Sequence, residues 1–351
     1  MHHLPSALIP QLIQAFNQRK YQVVIDTIKK HPVLLKTDAV VPQLQGSALR
    51  KLGLLDDAMK VYENALKRFS NATDLMNSFG ILLLEQGQNK KALLWFSKAN
   101  KLNPRAYDYK FNLARAYYIE KLYAEAEKIV RELVASHSKK IDLILMLSSI
   151  LSENENYEEA EKYLYQILNI EPTHFKALNN LGNVKRRVGQ LDEAIGCYQS
   201  ALNVGTANPE IYQNLAAVLA LNGDSEASLK VYEQGLSVFP YSTTLHKEYI
   251  HYAWTQDVAH PFALLEKLLS TKQPNLVMTY AELMIRIDNF DKAKYWLDKL
   301  LPIEEPSTHI AVIANLSSAL RGLGQFEQAL SKVNEVLTTS NANVESLPLL
   351  I

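Results

Sequence analysis

Few side chains in this sequence are arranged for chemistry. Asn112, Asn180, Asn214 and Asn315 hold one place in a pattern that recurs roughly every 34 residues. A carboxamide both donates and accepts, so such a series suits a peptide backbone held without reading its side chains. The same asparagines equally suit contacts between helices. The nine histidines are dispersed. His246 and His251 stand five apart, a poorer spacing for two ligands on one helix face than three or four. His260 follows in a turn, and no cysteine or nearby carboxylate completes a zinc pattern, so neither metal nor cofactor is expected. A nucleophilic Cys197 would need a base and a depressed pKa, and neither is visible, so it reads as a packing or outer-face residue. Glu153, Glu155, Glu158, Glu159 and Glu161, interrupted by asparagines and Tyr157, read as a solvated turn and helix start.

Charge and composition narrow the classes further. Lysine plus arginine (37) balances aspartate plus glutamate (37), and the basic groups at Lys29, Lys90, Lys139 and Lys185 to Arg187 form no continuous stripe. Nucleic acid is therefore not the expected partner. A hydrophobic fraction of 48% argues against disorder. One cysteine excludes an intrachain disulfide and suits a reducing compartment. The opening MHHLPSALIP lacks a basic start and an uninterrupted apolar core, and no later apolar run is long enough for a bilayer, so a cytoplasmic protein without membrane insertion is expected.

The elements that must position these side chains follow from the period. In the stretch Phe175 to Asn208, Gly182 is eighth, Gly189 fifteenth, Ala194 twentieth, Tyr198 twenty-fourth and Ala201 twenty-seventh. Alanines seven apart share a helix face, so two helices approach closely there while aromatics fill the remaining volume. Glycine at the fifteenth place suits the left-handed end of the first helix. These marks recur in units at about 5–38, 39–72, 73–106, 107–140, 141–174, 175–208, 209–242, 243–273, 274–309 and 310–343. The first unit is degenerate, with Val24 at the close crossing. The unit at 243–273 is short, and its HPFALLEKLLS is expected to form a second helix with Pro261 in the first turn. The tail 344–351 is apolar where a terminal repeat calls for a polar face. It reads equally as a segment folded back over the last groove, the start of a helix cut from a longer protein, or an end through which the chain dimerises.

Glycine, alanine, aromatic and proline marks recurring together in this order resemble the tetratricopeptide repeat family over nearly all of residues 5–343. The resemblance implies an all-α, right-handed superhelical solenoid of about ten antiparallel helix pairs, spanning 1–351, without a shared catalytic activity. First helices would line a concave groove that holds a peptide or protein segment. Carried onto this sequence, the groove-facing places implicate Asn112, Arg115, Tyr118, Lys176, Asn179, Asn180, Asn183, Arg187, Gln213, Asn214, Lys247, His251, Trp254, Arg286, Asn315 and Arg321. Asn77, Met278 and Glu282 belong to the same face. The asparagine series is similar to ladders in some family members, but Ser78, Met146, Glu248 and Thr279 interrupt it. A clamp for a C-terminal carboxylate, known in other members, is incomplete, because Glu248 stands where a further cation would help.

Three functions follow as expectations. The first is a non-enzymatic scaffold with a peptide groove. The second is the substrate-recruiting arm of a larger enzyme, for which the stretch YAWTQ to HPFALLEKLL resembles repeat regions preceding iron and 2-oxoglutarate oxygenase or glycosyltransferase domains. The third is a self-assembling repeat protein joined through its end units.

Overall fold

The computed structural model describes residues 8–205, 208–302 and 306–339. Among these every element is helical. The chain divides into two compact units, 1–172 and 173–351. The tail at 344–351 and the middle of the PIEEPS linker lie outside the described residues.

The first unit contains α1 (Leu8–Asn17), α2 (Tyr21–Lys30), a 3-10 turn (Pro32–Lys36), α3 (Val40–Lys51), α4 (Leu55–Arg68), α5 (Thr73–Glu85), α6 (Asn89–Leu102), α7 (Tyr107–Ile119), α8 (Tyr123–Ser136), α9 (Ile141–Glu153) and α10 (Tyr157–Ile170). The second contains α11 (Phe175–Arg187), α12 (Leu191–Asn203), α13 (Pro209–Leu221), α14 (Ser225–Val238), α15 (Thr243–Thr255), α16 (Ala263–Glu266), a 3-10 turn (Leu269–Thr271), α17 (Pro274–Arg286), α18 (Phe290–Asp298), α19 (Pro306–Gly322) and α20 (Phe326–Thr339). Odd-numbered helices up to α15 are first helices, and each from α1 to α13 packs on the even-numbered helix that follows it, whereas α16 packs on α17.

Every helix pair turns through one left-handed residue. These are Arg19, Gly53, Gly87, Lys121, Glu155, Gly189, Gly223, Asp257, Asp288 and Gly324, with φ between 53° and 86°. Steps of 34 residues run unbroken from Arg19 to Asp257, followed by one of 31 and one of 36. The backbone requirement thus persists where glycine does not, and a side chain there carries a cost that glycine avoids.

Size complementarity fixes the crossing inside a pair. A Cβ on Gly46, Gly80 or Gly182 would lie 2.6 Å from the ring of Tyr62, Phe96 or Tyr198, sixteen residues further on. Where the first position carries a side chain, as in Ala114 and Ser148, the partner shrinks to Val130 and Leu164, all of them buried. Tyr232 opposite Ala216 keeps its ring, and Gly235 gives the space to Tyr212 instead.

Two expectations at the C-terminal side are corrected. HPFALLEKLLS does not form a continuous second helix: α16 has four residues, Pro261 lies in the preceding turn, and a 3-10 turn follows. Eighteen residues separate α15 from α17, against twenty-one between α5 and α7. A shorter connection covers its span by giving up α-helix for 3-10 and irregular backbone, which rises further per residue. In addition, α19 starts at Pro306, four residues before the expected 310, with proline in the first turn, where it lacks nothing a helix needs.

Candidate functional site

The polar residues of the first helices bond mainly from one repeat to the next. Asn112 Nδ2 donates to Asn77 Oδ1 at 2.9 Å, and Gln43 Nε2 to Ser78 Oγ at 3.2 Å, both in the first unit. In the second unit Asn214 Nδ2 donates to Asn179 Oδ1 at 3.0 Å, with Asn179 buried. Each pair joins residues 35 apart, the fifth place of one repeat to the sixth of the next. Gln213 continues the series by bonding Glu248. Asn315 donates to the Ala311 carbonyl at 3.2 Å and lies 4.0 Å from Met278 Sδ. Asn180 is engaged as well. These amides register neighbouring repeats against one another.

Other members of the face are similarly occupied. Asn183 Oδ1 accepts the hydroxyl of Tyr198 at 2.7 Å, as Ser47 meets Tyr62 at 2.9 Å. Burial pushes both tyrosines up to about 12. Tyr118 lies 5.6 Å from Tyr123 between ring centres. Lys176 is exposed, 5.9 Å from the Phe175 ring. Arg115 and Arg187 are exposed, Arg187 with an interaction of its own, and Arg321 donates to Ser318 Oγ at 3.4 Å.

The pattern changes between α15 and α17. Lys247 pairs with Glu282 at 2.6 Å, again 35 residues on, but Glu282 lies one helical turn beyond Thr279, the residue at the sixth place. A cleft of about 220 Å³ opens along these helices, lined by Lys247, Ile250, His251, Trp254, Phe262, Glu282, Leu283, Arg286 and Ile287. Four residues selected from the repeat register, Lys247, His251, Trp254 and Arg286, therefore converge on one site in the second unit.

The short eighth repeat builds the apolar end of this cleft. Asp257 ends the α15 segment in a left-handed turn, and the abbreviated connection delivers Phe262 against Trp254, with ring centres 5.8 Å apart and planes at 71°. Phe262 in turn meets Tyr280 edge to face at 6.2 Å, and Tyr280 Oη donates to Glu266 Oε1 at 2.7 Å. Such edge-to-face contacts hold aromatic rings in set orientations. Trp254 nevertheless remains 51% exposed. Arg286, exposed on the last turn of α17, makes no hydrogen bond or ion pair with any described residue. Register reasoning misses Phe262, Ile250, Leu283 and Ile287, and the one sequence sign of Phe262 is its place after Pro261 in an abnormally short unit.

Two titratable groups lie beside Lys247 on α15 and outside the cleft lining. His246, on α15 beside Lys247, is buried, with Nε2 against the Pro240 carbonyl at 2.9 Å and no described partner at Nδ1. Burial holds its pKa below the usual histidine value, partly opposed by the carbonyl. Partial loss of water raises Glu248, opposed by hydrogen bonds from Gln213 and Tyr232. Among the described residues, no three His, Cys, Asp or Glu side chains gather as a metal would require. No described helix is long and apolar enough to cross a membrane.

Models of the tetratricopeptide repeat match residues 44–102, 98–140, 141–174 and 173–240, together more than half of the chain. The chain is 24% identical over 204 residues to human Protein O-mannosyl-transferase TMTC1, an alignment covering 57% of this chain and 23% of that protein. It is also 24% identical over 245 residues to TPR repeat-containing protein YpiA of Bacillus subtilis (strain 168), covering 69% of this chain and 55% of that one. The chain thus spans about a quarter and about half of these two relatives. A tetratricopeptide repeat protein from Parabacteroides merdae ATCC 43184 superposes with a TM-score of 0.58 at 15% identity, over 69% of this chain and 96% of its own, a likeness of fold.

Proposed function

This chain belongs to the tetratricopeptide repeat family, and from that premise we propose that it is a non-catalytic interaction module whose cleft between α15 and α17 takes an extended segment of a partner protein. One observation carries the reading: in a chain whose first-helix polar groups mostly bond one another, an exposed indole, an imidazole and an unpaired guanidinium line a single apolar-floored cleft. Aromatic and arginine side chains are the usual anchors of binding surfaces. The volume falls below the roughly 300–1,000 Å³ of small-molecule sites, which suits one inserted side chain rather than a cofactor. Selection of a random dodecapeptide phage library on the immobilised protein tests this. Enriched peptides should lose at least about tenfold in affinity on Trp254→Ala; undiminished binding would remove the cleft from the account.

A second reading has its own support. The chain aligns with only 23% of a relative named as a protein O-mannosyl-transferase, which fits a repeat arm that presents substrates to a separate catalytic domain. The mass of the product made from the native gene discriminates: a product of 39.7 kDa would discard the arm, and a much larger one would favour it.

A further inference from the structure

Resting on the cleft as the binding site, we infer that the segment it takes carries an internal aspartate or glutamate beside one bulky apolar side chain, the carboxylate pairing with Arg286 and the apolar group seating against Trp254 and Phe262. The two ends of the cleft differ in charge and in exposed apolar surface. At one end Lys247 and Glu282 answer each other at 2.6 Å, so neither presents an unbalanced charge to a ligand. Trp254 lies seven residues along α15 from Lys247, about 10 Å by helical rise. Arg286 lies four residues beyond Glu282, one turn away on the same face of α17. Among the described residues, the unanswered charge of the cleft is therefore positive and shares the Trp254 end.

That arrangement selects by chemistry. A basic segment would meet Arg286 with like charge, whereas a carboxylate matches the guanidinium fork with paired hydrogen bonds. Trp254, steadied by Phe262 and through it by Tyr280, supplies a fixed apolar wall beside that cation. A chain end would bring a main-chain carboxylate that calls for several converging donors. The cleft offers one unpaired guanidinium, with apolar floor formed by Ile250 and Leu283 running on toward Lys247, which suits a chain passing through.

The test uses fluorescein-labelled Gly/Ser undecapeptides, blocked at both ends, with one Trp or Leu and one Glu spaced one to four residues apart, alongside Gln and Lys counterparts. By anisotropy, at least one Glu peptide should bind the intact chain about tenfold tighter than its Gln counterpart, and the Lys peptide more weakly still. On Arg286→Gln, whose side chain is exposed, the Glu/Gln ratio should fall to near one with the thermal unfolding midpoint unchanged. Equal binding of Glu and Gln peptides, a ratio that survives Arg286→Gln, or no binding by any blocked peptide would overturn the inference. Library peptides that still depend on Trp254 would then leave the cleft standing with another specificity, whereas library binding indifferent to Trp254→Ala would remove both.

Discussion

Two neighbouring stretches of the second unit use the same repeat in opposite ways. Between α11 and α13 the register is regular, and the amides at the fifth and sixth places, Asn179 and Asn214, bond each other. Between α15 and α17 the chain is three residues short, the expected contact slips by a turn, and an indole and a guanidinium are left facing solvent. The regular register pairs these amides across repeats, whereas the irregular one gathers an indole and a guanidinium at one cleft. Recognition by this protein is therefore sought at the lapse and not along the most polar repeats.

Substitutions on either side of this contrast should behave differently. Gly182→Ala presses a Cβ toward the fully buried Tyr198 ring and should cost about 2 kcal/mol by urea unfolding. Trp254→Ala, half-exposed in the cleft, should cost less than about 1 kcal/mol while removing peptide binding. If the two changed stability equally, the division into framework and site would fail.

The next effect is smaller. Lys121→Gly and Glu155→Gly each relieve a left-handed side chain in a regular turn and should stabilise the protein by about 1 kcal/mol, read as a raised denaturation midpoint. Asp257→Gly should gain less, because aspartate tolerates that conformation better. Double-mutant cycles then compare the two repeat-to-repeat bonds. Asn179 with Asn214 should couple by about 1 kcal/mol, and the exposed Lys247 with Glu282 by no more than about 0.5 kcal/mol, falling with added salt.

Acid should act on the α15 side first. His246 is held below the ordinary value of 6.5 in the folded chain, so the unfolded chain takes up its proton sooner as pH falls. The stability that neutral His246 permits is complete above about 6.5 and declines below it until the buried ring itself protonates. His246→Gln should flatten that decline in unfolding experiments between pH 6.5 and 5; an unchanged slope would assign it to other groups.

The first helices from α5 through α15 begin at the boundaries the repeat implies, because the marks at Gly80, Ala92 and Phe96 or Gly182, Ala194 and Tyr198 are packing requirements written directly as residue size. Lys247, His251, Trp254 and Arg286, picked out by their places on the first helices, all line the cleft even though the contact between those helices slips by a turn. Phe262 was not legible, since it enters from a connection with no counterpart in the other repeats. Nor was the pairing of Asn112 with Asn77, because two residues 35 apart meet only through the stacking of adjacent helices, which a 34-residue repeat in one strand of text does not display. The broken α16 escaped because its sequence is apolar at helical spacing, while its length decides the outcome.

The left-handed turns give that short connection a further meaning. The step of 31 from Asp257 to Asp288 and the step of 36 from Asp288 to Gly324 total 67, one fewer than two steps of 34. The array behaves like a crystal row with a dislocation that the following step almost makes good, so the fault is confined between Asp257 and Gly324. A confined fault is transferable: grafted between matching turns of another repeat array, the segment from Gly223 to Gly324 would carry the cleft with it and leave the host's phase almost undisturbed.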